Sequence, residues 1–502
     1  MCFTADPTAD IQKALKAVDL MKILDGQVAI GNKSNSKTIG EHKFWKTQPV
    51  PQTLSGSSFA MMAMEEGPID PIKTVEEVRQ EPLPLPSGFE WSLIDIKNDV
   101  QCEEVYSLLS ENYVEDDDAM FRFRYSKEFL LWSALTFRSL TAPGYHPDWH
   151  IGVRVQKTGK LVAFISGILV DIRVRSKTFP SAEINFLCVH KKLRAKRLTP
   201  VLIKEVTRRV NLRGVWQAIY TAGIVLPTPI GTSRYYHRNL NPPKLVDIGF
   251  SSLPRSMTIA RLVKQLAVPT APSLPGFREM EKKDVPQVAA LLRRYLARFE
   301  ITQTFETDQE VEHWFLSGRG KEGGEEGSAK WRREGQVVWA YVVEDPTTHV
   351  ITDMISFYSL PSSIMKHPTH RILNAAYLYY YASDSIFRPS SGGSEAVAES
   401  SASVGIVEER KRRERLGARL VQLSGDLMVV AKNAGFDVLN ALTLLDNNMF
   451  LSEQKASCQS LPFGAGDGFL VNYLYNWQCA PIDGGLKGTS MKQGAGIGVV
   501  ML

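Results

Sequence analysis

"EINFLCVHKKLRAKRLTP", residues 183–200, runs an apolar segment into a cluster of cations and then into a Thr-Pro pair. Ile184 to Val189 is apolar on both faces, the pattern of a strand covered on both sides. Lys191, Lys192, Arg194, Lys196 and Arg197 follow. Thr199 and Pro200 then make a good N-cap and first-turn pair, since the hydroxyl accepts an orphan N–H and proline has none to leave unpaired. The next helix is expected to bury Leu202, Val206 and Val210 at i, i+4 spacing. Cations are misplaced at that end of a helix, because the dipole there is positive and free N–H groups attract anions. A solvated basic loop is the plain interpretation of such a charge run. The wrong-end placement favours another: a strand, a basic loop and a helix start built to hold a pyrophosphate. The run G-x-x-x-x-G-K-[ST] is missing, so this is not a Walker loop.

Of 502 residues, 44% are hydrophobic and 23% charged, ordinary globular composition and enough for two or more domains. The net charge of +5, from 59 Lys+Arg against 54 Asp+Glu, is too balanced to draw nucleic acid by bulk electrostatics, so no nucleic-acid partner is expected and any anion site has to be local. Cys2, Cys102, Cys188, Cys458 and Cys479 lie far apart with no C-x-x-C spacing, which points to a reducing compartment and no zinc. Asp6, Asp10, Lys13, Lys16 and Asp19 break up the start of the chain, so no signal-peptide core can be drawn there. No apolar run approaches bilayer length either. A cytoplasmic protein that does not span a membrane is the expectation, and a monomer. Residue 2 is not glycine, so the chain is no obvious candidate for lipidation itself.

Strand-like and helix-like patterns alternate from about residue 90 to 263, including "HIGVRV", "LVAFISGILVDIRV" and "VWQAIYTAGIVL", as in mixed α/β folds. The Pro-rich "AVPTAPSLPGF", residues 267–277, is the best linker candidate. After it the texture repeats, with "DVPQVAALLRRYLARF" as a helix and "QVVWAYVVED", "HVITDMISFYSL" and "AAYLYYYASD" as strands. The halves share no sequence self-similarity, so any duplication is structural only. Residues 317–335, 389–420 and 484–494 have the composition of inserted surface excursions, apart from a possible charged helix after Val407.

The blocks "EHKFWKTQPVP", "EGPID", "ENYVEDDDAMFRFRYS", "EINFLCVHKKLRAKRLTPVLIKEVTRRV", "YTAGIVLPTPIGTSRYYHRNLNP", "SFYSLPSSIMKHPTH", "KNAGFDVLNALTLLDNNMF" and "FGAGDGFLVNYLYNW" occur in this order. Together they resemble the glycylpeptide N-tetradecanoyltransferases, or N-myristoyltransferases, from about residue 41 to the last residue. The resemblance implies an α+β fold of two tandem acyl-CoA N-acyltransferase-like halves sharing one saddle-shaped sheet core. It divides the chain into an arm (1–40), an acyl-CoA-binding half (41–266), the linker, and a peptide-binding half (278–502). Myristoyl-CoA is the implied acyl donor, and peptides with an N-terminal glycine are the implied acceptors.

Residue by residue, the resemblance assigns His42, Lys43, Phe44 and Trp45 to the acyl-CoA, and Phe44 and Trp45, two aromatics in a polar tail, also want a partner surface on their own account. It assigns Arg194, Ala195, Lys196, Arg197, Leu198 and Thr199 to the CoA pyrophosphate, and Cys188 and Val189 to the same ligand. Acyl transfer needs donors where oxyanion charge develops, a neutral amine and a proton acceptor. The resemblance gives the backbone amides of Phe186 and Leu187 as donors, Asn185 and Thr221 as holders of the amine, and the α-carboxylate of Leu502 as base. By their side chains alone Phe186 and Leu187 are plain core strand. "GAGIGVVML", residues 494–502, has no charged side chain, so burial of this end is compatible with the sequence, and burial would raise the carboxylate pKa and depress that of a glycine ammonium.

Tyr113, Tyr125, Tyr235, His237, Ser362 and Tyr377 fall in blocks that line the family's peptide groove, and Glu115, Asp116, Asp117 and Asp118 become an acidic patch for basic residues of the peptide. No metal is implied, since "HPTH" at 367–370 has no third ligand nearby in sequence. "GAGDG" and "GAGIG" are expected to be turns and a strand end. The passages "SALTFRSLTAPGY" and "SEQKASCQSLPFGAGDG" are longer than the family pattern. Were they to displace the chain end, the alternative is a catalytically impaired acyl-CoA or lipopeptide-binding protein of the same fold.

Overall fold

A computed structural model describes residues 43–51, 65–71, 73–116, 118–134, 144–321, 331–388, 401–451, 463–486 and 496–502. The 1–40 arm, His42, Asp117 and, of the inserted stretches, residues 322–330, 389–400 and 487–494 lie outside the described residues.

The chain before the Pro-rich passage forms β1 (Phe89–Leu93), α1 (Asp99–Asn112), β2 (Phe121–Phe123), β3 (Ile151–Val155), β4 (Leu161–Val174), β5 (Lys177–Val189), α2 (Leu198–Asn211), β6 (Gln217–Ala222), β7 (Gly231–Asn239) and α3 (Pro242–Asp247). After it come β8 (Phe277–Glu279), α4 (Val285–Leu296), β9 (Ile301–Gln303), β10 (Val338–Glu344), β11 (Ile351–Ser359), β12 (Ser362–Ile364), β13 (Ile372–Leu373), β14 (Ala375–Ser383), α5 (Ser401–Asn433), β15 (Val438–Leu442) and β16 (Gly464–Tyr475). One mixed sheet of 13 strands runs in the order β1-β3-β4-β5-β6-β16-β7-β15-β14-β11-β10-β8, with β9 on β4, and β13, β12 and β2 make a small second sheet.

The same plan occurs twice. β1, β3, β4 and β5 are antiparallel neighbours, and α2 then crosses over to set β6 parallel to β5. β8, β10, β11 and β14 are likewise antiparallel, and α5 crosses over to set β15 parallel to β14. Each parallel pair is brief: Ser181–Glu183 with Gln217–Ile219, and Ala375–Tyr377 with Val438–Asn440. Each carries a bulge just beyond it. β5 has an extra residue between the pairs Phe164–Cys188 and Ser166–Asn185, and β14 has one between Ile355–Tyr381 and Phe357–Leu378. The halves also trade strands, since β16 pairs with β6 and β7 with β15.

α2 exists because its apolar stripe has a floor: Leu198, Leu202, Val206 and Val210 pack on Ile151 and Val153 of β3 and on Val162 and Ala163 of β4. Its start differs from the expected one. Arg197, in the left-handed region at φ 57°, is the N-cap, and Thr199 lies inside the first turn without capping it. The tight turn Lys191–Lys196 leads straight into that reversal, so the helix begins earlier and its first N–H groups receive no side-chain cap.

The Pro-rich passage 267–277 is fastened to α5, where Asp426 accepts hydrogen bonds from Ser273 N (2.8 Å), Ser273 Oγ (3.0 Å) and Leu274 N (2.8 Å). The charged helix expected after Val407 is present as part of the 33-residue helix α5, whose i, i+4 ion pairs Glu408–Arg412 and Glu409–Arg413 suit its composition. Of the two glycine runs expected as turns and a strand end, "GAGDG" is a strand end, opening β16. Gly484 is packed so closely that a Cβ there would stand 1.9 Å from the Thr232 carbonyl oxygen, so the stretch 484–494 starts as structure, not as an excursion.

Candidate active site

A cavity of about 1850 Å³ opens where β5 and β6 part. On the β5 side it is lined by Asn185, Phe186, Leu187, Cys188 and Val189, and on the β6 side by Thr221. Phe186 is left-handed at φ 56°, a costly conformation for a residue with a bulky side chain. The strain is held by packing: Phe186 is buried against Tyr125 (ring centroids 5.1 Å) and Tyr113 (6.3 Å). In a bulge two consecutive amides leave the regular ladder, and the Phe186 main chain hydrogen-bonds to the Tyr113 hydroxyl at the cavity wall.

The chain end reaches the same space. Gly498 N donates to Ile301 O (2.7 Å), Leu445 N to Ile497 O (2.9 Å) and Val500 N to the Tyr380 hydroxyl (3.0 Å). Ile497 to Met501 are buried, and Val500, Met501 and Leu502 line the cavity. Glycine is needed along this path. A Cβ on Gly498 would lie 2.6 Å from Phe299 Cβ, and one on Gly496 would lie 2.6 Å from Ile482 Cγ2.

Of the expected donor-covering segment, Lys43, Phe44 and Trp45 line the cavity, and Trp45 stacks on Tyr220 of β6 with centroids 6.0 Å apart. Pro49 O accepts from Asn476 N (2.7 Å) and Gln48 Oε1 from the Tyr475 hydroxyl (3.0 Å), so the segment after Trp45 is pinned to β16 and the residues just after it. Arg194, Arg197 and Thr199 also line the cavity. The remaining cations are spread more widely than expected. Lys191 pairs with Glu115, Arg194 also donates to Asn112 O (2.6 Å), Lys192 and Lys196 are exposed, and Leu198 is core. Glu115 thus supplies the counter-charge that the helix start alone lacks.

That pairing changes the acidic run. Glu115 is held below the ordinary carboxylate range by its hydrogen bond from Lys191, with Arg122 adding to the effect against burial. Asp116 Oδ1 accepts from Met120 N (2.8 Å) and Phe121 N (2.6 Å), so it builds the turn. Asp118 is exposed at the cavity.

Tyr113, Tyr125, Tyr235 and Tyr377 line the cavity. Burial pushes the Tyr235 hydroxyl up to about 12 and the other three above their usual value. His237 and Ser362 do not line it. His237 stands behind Asn440, to whose Oδ1 its Nδ1 donates (2.7 Å), and burial keeps it below the usual histidine range. Ser362 is buried in the small sheet, paired with Phe123 and Leu373. "HPTH" does have a neighbour: Asp247 Oδ2 is 3.4 Å from Nε2 of both His367 and His370. His367 Nδ1 accepts the His370 amide (3.0 Å), which puts its proton on Nε2, facing that carboxylate.

Glu183 was absent from the expected site. It is 5% exposed on β5, its Oε1 accepts from Asn185 Nδ2 (2.8 Å), and it takes a hydrogen bond from the Leu502 main chain. Burial pushes its carboxyl up to about 7, against those two hydrogen bonds. The signal was present in the sequence, because a lone acid leading into a strand covered on both faces is a charge taken out of water.

The family description "Myristoyl-CoA:protein N-myristoyltransferase, N-terminal domain" matches residues 68–233, and the corresponding C-terminal domain matches residues 247–500. The glycylpeptide N-tetradecanoyltransferase of Saccharomyces cerevisiae is 45% identical, covering 98% of this chain and 99% of its own length. Glycylpeptide N-tetradecanoyltransferase 1 of Arabidopsis thaliana is 47% identical over 89% of this chain and 87% of its own. The crystal structure of S. cerevisiae N-myristoyltransferase with bound myristoyl-CoA superimposes with a TM-score of 0.78 at 46% identity, covering 92% of this chain and 99% of that one.

Proposed function

We propose, from the premise that this chain belongs to the myristoyl-CoA:protein N-myristoyltransferase family and is an acyltransferase, that it moves a myristoyl group from myristoyl-CoA to the N-terminal glycine amine of peptides by direct attack on the thioester. The observation that carries the mechanism is that the bulged Phe186–Leu187 segment and the last three residues of the chain line one cavity.

The neutral amine attacks the thioester carbon, a C–N bond forms, and the carbonyl electron pair moves to oxygen. The Phe186 and Leu187 amides donate to that oxyanion, and Asn185 and Thr221 hold the amine. The Leu502 carboxylate takes the amine proton. As the carbonyl re-forms, the C–S bond breaks, CoA leaves as thiolate, and the proton passes to sulfur. Cys188 shares the cavity, but burial pushes its thiol up to about 12, so it stays protonated, which favours one direct transfer over an acyl-enzyme. In this reading Arg194, Arg197 and the uncapped start of α2 hold the CoA phosphates, and Lys43, Phe44 and Trp45 cover the donor. Residues before the Pro-rich passage serve the acyl-CoA, and those after it complete the peptide groove. Asp118 is left to meet basic residues of the peptide. A side chain on the first peptide residue would crowd the approach to the thioester, hence the glycine.

The test is a transfer assay with myristoyl-CoA and an octapeptide beginning with Gly, against the same peptide beginning with Ala, followed by a series of acyl-CoA chain lengths. Transfer confined to the Gly peptide with a preference for the long acyl chain is expected. Equal transfer to the Ala peptide, or a preference for acetyl-CoA, contradicts the reading.

A further inference from the structure

Glu183 belongs to no step above, yet it touches two of the groups those steps need. Its carboxyl accepts from Asn185 Nδ2 at 2.8 Å and from the main chain of Leu502. Asn185 and Leu502 line the cavity, whereas Glu183 stands behind them. On β5 it is the last residue paired with β6 before the two strands separate, opposite Ile219. Its backbone is paired on both sides, with Ile168 of β4 and Ile219 of β6, and its side chain reaches Asn185 and the Leu502 main chain.

Three tyrosines face it from the other half of the sheet, Tyr358 on β11 and Tyr379 and Tyr380 on β14, and each has its hydroxyl pushed up by burial with the Glu183 charge adding to the effect. The further titratable group on this side is the Leu502 carboxylate. Among the described residues no lysine or arginine forms an ion pair with Glu183. A carboxyl that is buried without a cation costs stability, so a purely structural role is poorly served by it.

We propose that Glu183 is a positioning residue for the transfer: it ties the Leu502 main chain and the Asn185 carboxamide into one frame, so that the proton acceptor and the amine holder stand in fixed register, and its charge acts on the carboxylate beside it. The inference rests on the Leu502 carboxylate being the base. Leu502 N lies two bonds from that carboxylate, so the two acidic groups are within about 6 Å of each other by standard backbone dimensions. A like charge at that range strengthens the terminal carboxylate's hold on a proton, which is what a base taking a proton from an amine requires.

Single-turnover transfer from myristoyl-CoA to a Gly peptide, measured across pH, tests this on the full chain and on E183Q, E183D and each of these without Leu502. E183Q keeps the shape and removes the charge. It is expected to slow transfer by roughly tenfold or more while leaving the KM for myristoyl-CoA within about twofold. The acid limb of its pH profile is expected to be shallower, because the ionisation of Glu183 on raising the pH through about 7 no longer contributes. E183D, which restores the charge one methylene away, is expected to recover part of the rate. In the chain lacking Leu502, E183Q is expected to change nothing further.

Stability supplies an independent check. The folded value of Glu183 is raised above its unfolded one, so the stability it lends is complete at low pH and is lost as pH rises through about 7. E183Q is therefore expected to be at least as stable as the natural chain at pH 8, a result that a structural role would reverse. A natural rate and pH profile in E183Q, an equal loss with and without Leu502, or a loss confined to myristoyl-CoA KM overturns the proposal. If removing Leu502 itself leaves transfer unchanged, the base assignment fails first, whatever Glu183 does.

Discussion

Beyond Glu183 and Ile219, β5 and β6 separate and the gap between them is open cavity. Beyond Tyr377 and Asn440, β14 and β15 separate in the same way, and the gap holds the end of the chain, bonded to Tyr380 on one side and Leu445 on the other. The backbone device is one and the same, a short parallel pair with a bulge in the strand before the crossover. What differs is the chemistry that follows it. After β5 come Arg194, Arg197 and an uncapped helix start, a place for an anion. After β14 comes Asp384, and the gap is walled by Phe299, Ile301 and Tyr380, a seat for an apolar strand of chain. A duplicated frame thus leaves an open cleft in one copy and, in the other, a seat from which the chain end reaches into the first.

The sharpest way to break this contrast is to unseat the plug. In G498L the side chain would collide with Phe299, which a Cβ alone already approaches to 2.6 Å, so transfer should fall by roughly a hundredfold while acyl-CoA binding in the other copy persists. The converse substitution is R197G, which keeps the left-handed turn and removes the charge. It should weaken acyl-CoA affinity by about tenfold, more at low salt than at high, with the transfer rate at saturation little altered. Y380F removes the hydroxyl that accepts from Val500 N, worth about 1 kcal/mol, so a drop of roughly fivefold in single-turnover rate is expected without loss of binding. The smallest effect is expected at Glu115, whose folded pKa is depressed by Lys191 and Arg122. Its contribution is present above the unfolded value of about 4.3 and is lost as pH falls through the folded one, so natural chain and E115Q should differ in urea stability at neutral pH and converge in acid.

Elements with a strong pattern were legible in the sequence. The run Ile184–Val189 is strand, Leu202, Val206 and Val210 are the buried stripe of α2, and the uncharged tail, with which burial was compatible, is buried from Ile497 to Met501. The duplication was expected from the repeated texture and from the family resemblance, not from self-similarity, because "EINFLCV" and "AAYLYYYAS" share a backbone path and no side-chain pattern. The bulge at Phe186 was hidden, since its side chain is core and only its main chain departs from the strand. Thr199 looked like a cap until a left-handed arginine started the helix sooner. The acidic run was visible, but its division of labour depends on Lys191 and Arg122, which only the fold brings to Glu115.

The central claim is tested most directly by removing Leu502 and measuring single-turnover transfer and myristoyl-CoA affinity on the same preparation. Transfer slower by roughly a hundredfold or more, with affinity unchanged within about twofold, is the expected result. A chain that lacks Leu502 and still transfers at the natural rate would contradict it.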